Sequence, residues 1–286
     1  MPLVPVNIAL FGKTAKFSIN LDPTRTTEKI IAEWFSLRKL YEADVSCAIL
    51  RILKEGDLVA DVGAHVGYFA LLSAALVGPT GRVVAFEPDA DNFRRLKANI
   101  EANGFDHVTA INKVVSADGA DMAFYTNVDN DGGHALWNPG LHHKNVESSK
   151  KTTVQTVGTV TLARALAESV GPRPPKLIKI DTEGAEHLVL TGARDLLGPD
   201  GTPFIIAELN VMGLEQLGSS QHHLREMMAE VGYETFLLPM SGAIPKLVPR
   251  KVEIRSRYFL NLLFASPNRL AEHWPFIEIE DPNLIV

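Results

Sequence analysis

Residues 57–88 read DLVADVGAHVGYFALLSAALVGPTGRVVAFEP. A short apolar run at 58–60 ends on an acid, Asp61, and a glycine turn, GAHVG, follows at 63–67. A helix-like run covers 68–77. After a Gly/Pro break at 78–81, a second apolar run at 83–86 ends on Glu87. Strand, glycine turn, helix, strand and acid is the order of a βαβ unit that holds a nucleoside. Gly63 and Gly67 let the backbone bend sharply and come close to a ligand. The helix start offers free N–H groups to a carboxylate or phosphate. Glu87, 20 residues after Gly67, can accept hydrogen bonds from both ribose hydroxyls. His65 replaces the middle glycine of G-x-G-x-x-G, which counts against a dinucleotide, and the lysine of a phosphate-binding P-loop is missing.

Upstream, alternating apolar residues on both sides of Phe11-Gly12-Lys13-Thr14 predict a β-hairpin, read as an edge ribbon on the main domain. Asp22-Pro23 can open a helix. Ile30, Ile31, Trp34, Phe35, Leu37 and Leu40 give an amphipathic pattern, and another helix is expected over 43–53. Downstream, the pattern predicts a helix from Pro88-Asp89 to Asn103-Gly104, strands at 108–111, 177–180 and 203–207, and helices at 161–170, 184–197 and 219–231. The last two strands are expected at 233–238 and 261–265. Between the third and fourth sheet strands, residues 119–158 break the alternation. Two strand-like pieces, 122–126 and 152–157, flank DNDGGHALWNPGLHH, and a loop of that length is usually functional or disordered. A lid carried on a hairpin is expected. The tail, 272–286, carries Trp274 and several acids and yields no assignment. Strand–helix alternation followed by two strands predicts an α/β fold with a mostly parallel sheet and one antiparallel strand.

The chain has 286 residues, 46% hydrophobic and 22% charged, with a net charge of −6. No basic block is present, so a nucleic-acid partner is not expected. One cysteine, Cys47, excludes an internal disulfide framework and a cysteine-based zinc cluster. No apolar run reaches the length of a membrane span, and residues 1–20 lack the marks of a leader. A soluble protein in the cytoplasm is the expectation.

DVGAHVGYFALLSAALVG, VVAFEPDADNFRRLKANI, LIKIDTEGAEHLVLTGARDLL and PFIIAELN together resemble the FkbM-type methyltransferases, with KIDTEGAE the most specific piece. The likeness covers roughly 41–210, and YEADVSCAILRILKEGD resembles the segment that precedes the family's glycine turn. The resemblance implies a Rossmann-like class I methyltransferase fold with a seven-stranded sheet. Residues 1–54 would be an N-terminal hairpin and helical extension, and 55–286 the methyltransferase domain, with 119–158 as a lid-like insertion. It implies S-adenosylmethionine as cofactor. Asp61, Gly63, Ala64, His65 and Gly67 would surround its methionine part, Glu87 would hold the ribose, and Asn112 to Val114 would lie near the adenine. Asp181 would point into the site. Asparagine is common in the family where His65 stands.

Asp61, Glu87, Asp181 and Glu208 all fall at strand carboxyl ends, where open parallel sheets bind ligands. Acids gathered on one edge need a positive partner. The sulfonium and ammonium of S-adenosylmethionine supply one; a divalent metal is the less favoured alternative. Asp181, Glu208 and Asn210 have strand-end positions similar to the metal ligands of catechol-type O-methyltransferases. Methyl transfer needs alignment of an acceptor and removal of its proton, and Asp181, Glu208 and His134 are the candidate bases. Trp137 would stack on an acceptor or anchor the lid. The pairs His142-His143 and His222-His223 read as surface residues.

The expected function is O-methylation of a small-molecule hydroxyl on a sugar or natural product, in a monomer or a homo-oligomer. Two alternatives are an NAD-dependent oxidoreductase and a cofactor-binding scaffold without activity.

Overall fold

The computed structural model describes residues 3–151, 153–198, 200–256 and 260–274. Part of the unassigned tail, 275–286, and residue 152, the expected start of a lid strand, lie outside the described residues. The chain opens with β1 (Leu3–Leu10) and β2 (Lys13–Asn20), then α1 (Thr26–Ser36) and α2 (Ala43–Ile52). The βαβ unit follows as β3 (Leu58–Val62), α3 (Tyr68–Val77) and β4 (Arg82–Phe86), and α4 (Ala90–Ala102) leads to β5 (Val108–Ile111). β6 (Val114–Val115) and β9 (Thr159–Val160) flank the insertion, which contains β7 (Met122–Thr126), α5 (Val146–Lys150) and β8 (Thr153–Val157). Then come α6 (Leu162–Val170), β10 (Leu177–Ile180), α7 (Glu186–Thr191), β11 (Phe204–Glu208), α8 (Val211–Gln216) and α9 (Gln221–Glu230). The chain closes with β12 (Glu234–Leu237), β13 (Lys246–Leu247), β14 (Asn261–Ala265) and α10 (Pro267–His273).

The main sheet runs β13-β12-β14-β11-β10-β3-β4-β5. Its centre, β11-β10-β3-β4-β5, is parallel, and β14 lies antiparallel between β11 and β12. That is the expected seven-stranded sheet with one antiparallel strand. The two-residue β13 adds an eighth at the edge. Central strands are apolar on both faces because helices cover both: β3, β10 and most of β11 are buried along their length. Two clusters result. One packs α2 and α3 over one face and the other packs α6, α7 and α9 over the opposite face.

The N-terminal hairpin is a two-stranded sheet of its own, packed as a ribbon against the main domain. Its inner face, Val6, Ile8, Leu10, Ala15, Phe17 and Ile19, packs into the same cluster as α2 and α3. Asn99 of α4 and Asn103, which caps that helix's carboxyl end, accept the backbone N–H groups of Asn20 (2.8 Å) and Ser18 (2.7 Å). The helix expected over 184–197 is broken. It ends at Gly192, where an added Cβ would lie 2.2 Å from Ser116 O, and resumes as a 3-10 turn at Arg194–Leu196. Trp274 is buried in the first cluster, its ring 5.9 Å from the Arg51 guanidinium. No described helix is long and apolar enough to cross a membrane.

Candidate active site

Strand register sets the site. Val62 pairs with Phe86 and with Ile180, and Ile180 pairs with Ala207. The next residues along these strands are therefore side by side at the carboxyl edge: Glu87, Gly63, Asp181 and Glu208. Gly63 is required there. Its φ is +82°, and an added Cβ would sit 1.8 Å from Asp181 O. Gly67, at φ +99°, abuts Leu96 of α4 and is the N-cap residue of α3. Above this row lies a cavity of about 310 Å³, within the range of small-molecule sites. Gly63, Ala64, His65, Glu87, Val114, His134, Asp181 and Glu208 line it.

Three expected cofactor residues stand behind the wall. Gly67 serves the turn. Asn112 is spent on structure, donating to Glu87 O (2.8 Å) and Pro88 O (2.9 Å), while Lys113, Val114 and Val115 form the wall. Asp61, 1% exposed, lies beneath the glycine turn beside Lys179, its register partner on β10. The Lys179 Nζ is 3.7 Å from Asp61 Oδ1, 3.2 Å from Asp181 Oδ2 and 3.3 Å from Gly63 O. Burial alone would lower the Lys179 pKa. Asp181, Asp61 and Glu42 outweigh it and hold the ammonium charged. One buried cation thus ties β3 to the strand-end acids.

Glu87 accepts the His65 N–H (2.8 Å) and the Asp89 N–H (2.9 Å), one on each oxygen. Burial pushes its carboxyl up to about 7. His65 itself sits at φ +50°, a left-handed conformation that asparagine tolerates best among residues with a side chain. Its imidazole turns toward the insertion, with Nε2 2.9 Å from Asp131 Oδ2.

The N-terminal segment contributes Tyr41 and Glu42, which the sequence pattern did not single out. Glu42 has φ +40° at the start of α2. Burial, then the Asp181 charge, raises its carboxyl to about 7. Glu183 has φ +55°, and burial, then Asp181, raises it to about 8. Five described non-glycine residues have positive φ, and three of them, Glu42, His65 and Glu183, line this one cavity. Strained backbone gathers at functional sites. Glu208 is raised well above the carboxylate range by burial and by Asp181 and Glu183, and its Oε2 is buried without a hydrogen-bond partner. Glu186 serves structure, its Oε1 accepting the Gly184 N–H (3.0 Å) and Thr182 N–H (3.2 Å).

The insertion is folded. β7 and β8 pair antiparallel, and β6 pairs with β9. Asn127 Oδ1 accepts from Asp129 N (3.0 Å), Asn130 N (3.1 Å) and Ser148 Oγ (3.0 Å). Trp137 is an anchor: it is buried, and its Nε1 donates to Glu183 O (2.6 Å). Asp131 is the junction with the rest of the chain. Its carboxylate accepts the Thr27 N–H (2.9 Å) and faces Arg25 Nε (3.4 Å), and its carbonyl accepts from Asn92 (2.8 Å). Burial would raise the Asp131 carboxyl. His65, the Thr27 N–H and Arg25 hold it well below the usual range instead.

His134 lines the cavity, but its Nδ1 accepts the Asn127 N–H (3.0 Å) and its ring packs edge-on to Phe124. That bond uses the lone pair of the neutral ring, so the geometry takes His134 out of the set of proton acceptors. Asn210 leaves the strand-end set resembling a metal site. Its Oδ1 caps α8 at Gly213 N (2.8 Å), and its Nδ2 donates to Glu183 Oε2 (2.6 Å). Among the described residues no three His, Cys, Asp or Glu side chains are grouped to hold a metal.

A cavity rich in carboxylates and holding one buried lysine, with a buried carboxylate oxygen left unpaired, suits a cationic nucleoside. The sheet and this edge define the class: an S-adenosylmethionine-dependent methyltransferase. The methyltransferase FkbM domain model matches residues 61–235, and the chain belongs to that family. The chain is 29% identical over 188 residues to hexuronic acid methyltransferase AglP of Haloferax volcanii, covering 65% of this chain and 70% of that protein. It is 37% identical over 67 residues to protein-L-isoaspartate O-methyltransferase 2 of Archaeoglobus fulgidus, covering 23% of this chain and 30% of that one. A solved methyltransferase FkbM from Methylobacillus flagellatus superposes with a TM-score of 0.43 at 15% identity, covering 83% of this chain and 59% of that one. Fibrillarin from Aeropyrum pernix, bound to S-adenosyl-L-methionine, gives 0.43 at 14% identity, covering 91% and 93%.

Proposed function

We propose that the chain transfers a methyl group to a hydroxyl of a small, sugar-like acceptor. Similarity to a hexuronic acid methyltransferase supports a carbohydrate acceptor. When bound, S-adenosylmethionine supplies a methyl group activated by a sulfonium leaving group. In this proposal Glu87 holds the ribose and the turn at Gly63, Ala64 and His65 receives the methionine part. Lys113, Val114 and Val115 flank the base. Glu42, Asp181 and Glu183 surround the positive charge. Glu208 takes the acceptor's proton. The observation that carries this role is its buried, unpartnered Oε2 at the cavity wall. Burial, Asp181 and Glu183 raise its pKa, which makes its ionised form the stronger proton acceptor. Residues 1–54 then act as a cap on a methyltransferase domain of 55–286, and 119–158 as a lid.

Titration calorimetry with S-adenosylhomocysteine and with NAD tests the cofactor. Binding of NAD alone would return the chain to the oxidoreductases. Cofactor binding without transfer to any hydroxylated sugar or natural product would make it a scaffold. Glu208→Gln should lower kcat by roughly 10²- to 10⁴-fold, the usual worth of a general base, with cofactor affinity nearly kept. Wild-type turnover in that variant would dismiss Glu208 as the base. Turnover insensitive to chelator would leave the divalent metal without a role.

A further inference from the structure

A second cavity, of about 360 Å³, adjoins the first and shares Asn130 and Glu183 with it. One wall is the insertion, with Asn127, Trp137 and Pro139. The other comes from the carboxyl end of β11 and the segment before β14, with Leu209, Val211, Met212, Ile254 and Ser256. Bases outnumber acids in its lining, the reverse of the first cavity. The lining includes His142, His143 and Lys144, three successive nitrogen bases, and a single acid, Glu183, which is already bonded to Asn210. The two imidazoles stack with centroids 4.6 Å apart, and the Lys144 backbone N–H faces His142 Nδ1 (3.3 Å). Nearby acids are committed elsewhere. Glu147 pairs with Lys150 (2.8 Å), and Asp129 accepts the Glu147 and Ser148 N–H groups. Among the described residues no acid pairs with His142, His143 or Lys144. Burial, then His143 and Lys144, lowers the His142 pKa, as expected for bases without a counter-charge. In a chain of net charge −6, a basic recess beside an acidic one sorts ligands by sign.

We infer that the second cavity seats the acceptor and selects one bearing an anionic group, a carboxylate or a phosphate, held by His142, His143 and Lys144 away from the reacting oxygen. This rests on the first cavity being the cofactor site. The test is equilibrium binding of glucose, glucuronate and glucose 6-phosphate to protein saturated with S-adenosylhomocysteine. At least one anionic sugar should bind about ten-fold tighter than glucose, the scale of one charge-assisted hydrogen bond. The tighter of the two identifies the carboxylate or the phosphate as the group read. Lys144→Glu, and separately His142→Ala with His143→Ala, should abolish the preference while S-adenosylhomocysteine affinity stays unchanged. Equal binding of all three sugars, no binding of either anion, or a preference that survives both variants overturns the assignment and leaves the cofactor site standing. A base-labile methyl ester as product overturns it too, because the acid would then be the reacting end. Failure of S-adenosylhomocysteine to bind the wild type removes the cofactor site and this inference together.

Discussion

The two cavities meet at Asn130 and Glu183 but are held by different means. The first is written by strand register. Glu87, Gly63, Asp181 and Glu208 are neighbours because β4, β3, β10 and β11 are parallel and in step. One wall of the second is held by side-chain hydrogen bonds of the insertion, through Asn127 and Asp129 within it and through Trp137 to Glu183 O. A register cannot shift without moving every strand, whereas single bonds can be exchanged one at a time. The fixed half suits a constant cofactor, and the adjustable half suits an acceptor that differs between relatives.

Substitutions of glycine test the fixed half most severely. Gly63→Ala should cost at least about 4 kcal/mol, or prevent folding, because the new Cβ meets backbone that has no room to move. Gly104 is the control: it shares a positive φ (+62°) but has nothing within 4 Å. Gly104→Ala should cost only about 1–2 kcal/mol, the price of the left-handed conformation. Urea denaturation of both variants checks the pair. Equal losses would mean that backbone conformation, not the contact between β3 and β10, fixes the edge.

The same division explains what was legible in the sequence. The strands announced themselves because buried parallel strands are apolar runs that end abruptly on acids, and four such ends gave the edge. Glu42 and Tyr41 were invisible because nothing local marks them; α2 brings them over the edge from more than twenty residues upstream of Gly63. Lys179 hid inside a strand, where its register with Asp61 matters and its neighbours in sequence do not. Asn112 and Asn210 occupy expected positions, yet their amides hold loops and a helix start. His134 has the chemistry of a base, and only the Asn127 N–H reveals how its lone pair is used.

Asp131 tests how far the adjustable half depends on the fixed one. Asp131→Ala removes the partner of His65 and Arg25 and the acceptor of the Thr27 N–H. Breaking a largely buried pair of this kind costs about 2–3 kcal/mol. Arg25 keeps Glu28 and Asp91 as partners, so the loss should fall on the insertion. Hydrogen exchange should speed up across 127–146 while β3, β10 and β11 keep their protection. Unchanged exchange there would show that the β7–β8 hairpin and Trp137 suffice to hold the insertion.

The smallest effect expected is on pH dependence, and its sign separates the two cavities. Burial raises Glu42 and Glu87 to about 7 and Glu183 to about 8, from ordinary values near 4.5. For each of these the folded state holds its proton longer than the unfolded state. Their contribution to stability is therefore greatest below about pH 4.5 and declines as pH rises to about 7–8. Asp131, held low, runs the other way and loses its contribution only in acid, as pH falls below the usual carboxylate range. A cation in the first cavity favours the ionised acids, so its binding releases protons. S-adenosylmethionine should bind more tightly as pH rises from 6 to 8, by at most about ten-fold per unit for one proton released. Calorimetry in two buffers of different ionisation enthalpy measures that proton directly. An anionic sugar in the second cavity should behave oppositely, gaining affinity as pH falls far enough to charge His142, whose pKa burial and its two basic neighbours lower. If both ligands responded to pH with the same sign, the cavities would not differ in charge as their linings indicate, and the division of the site into a cofactor half and an acceptor half would have to be drawn elsewhere.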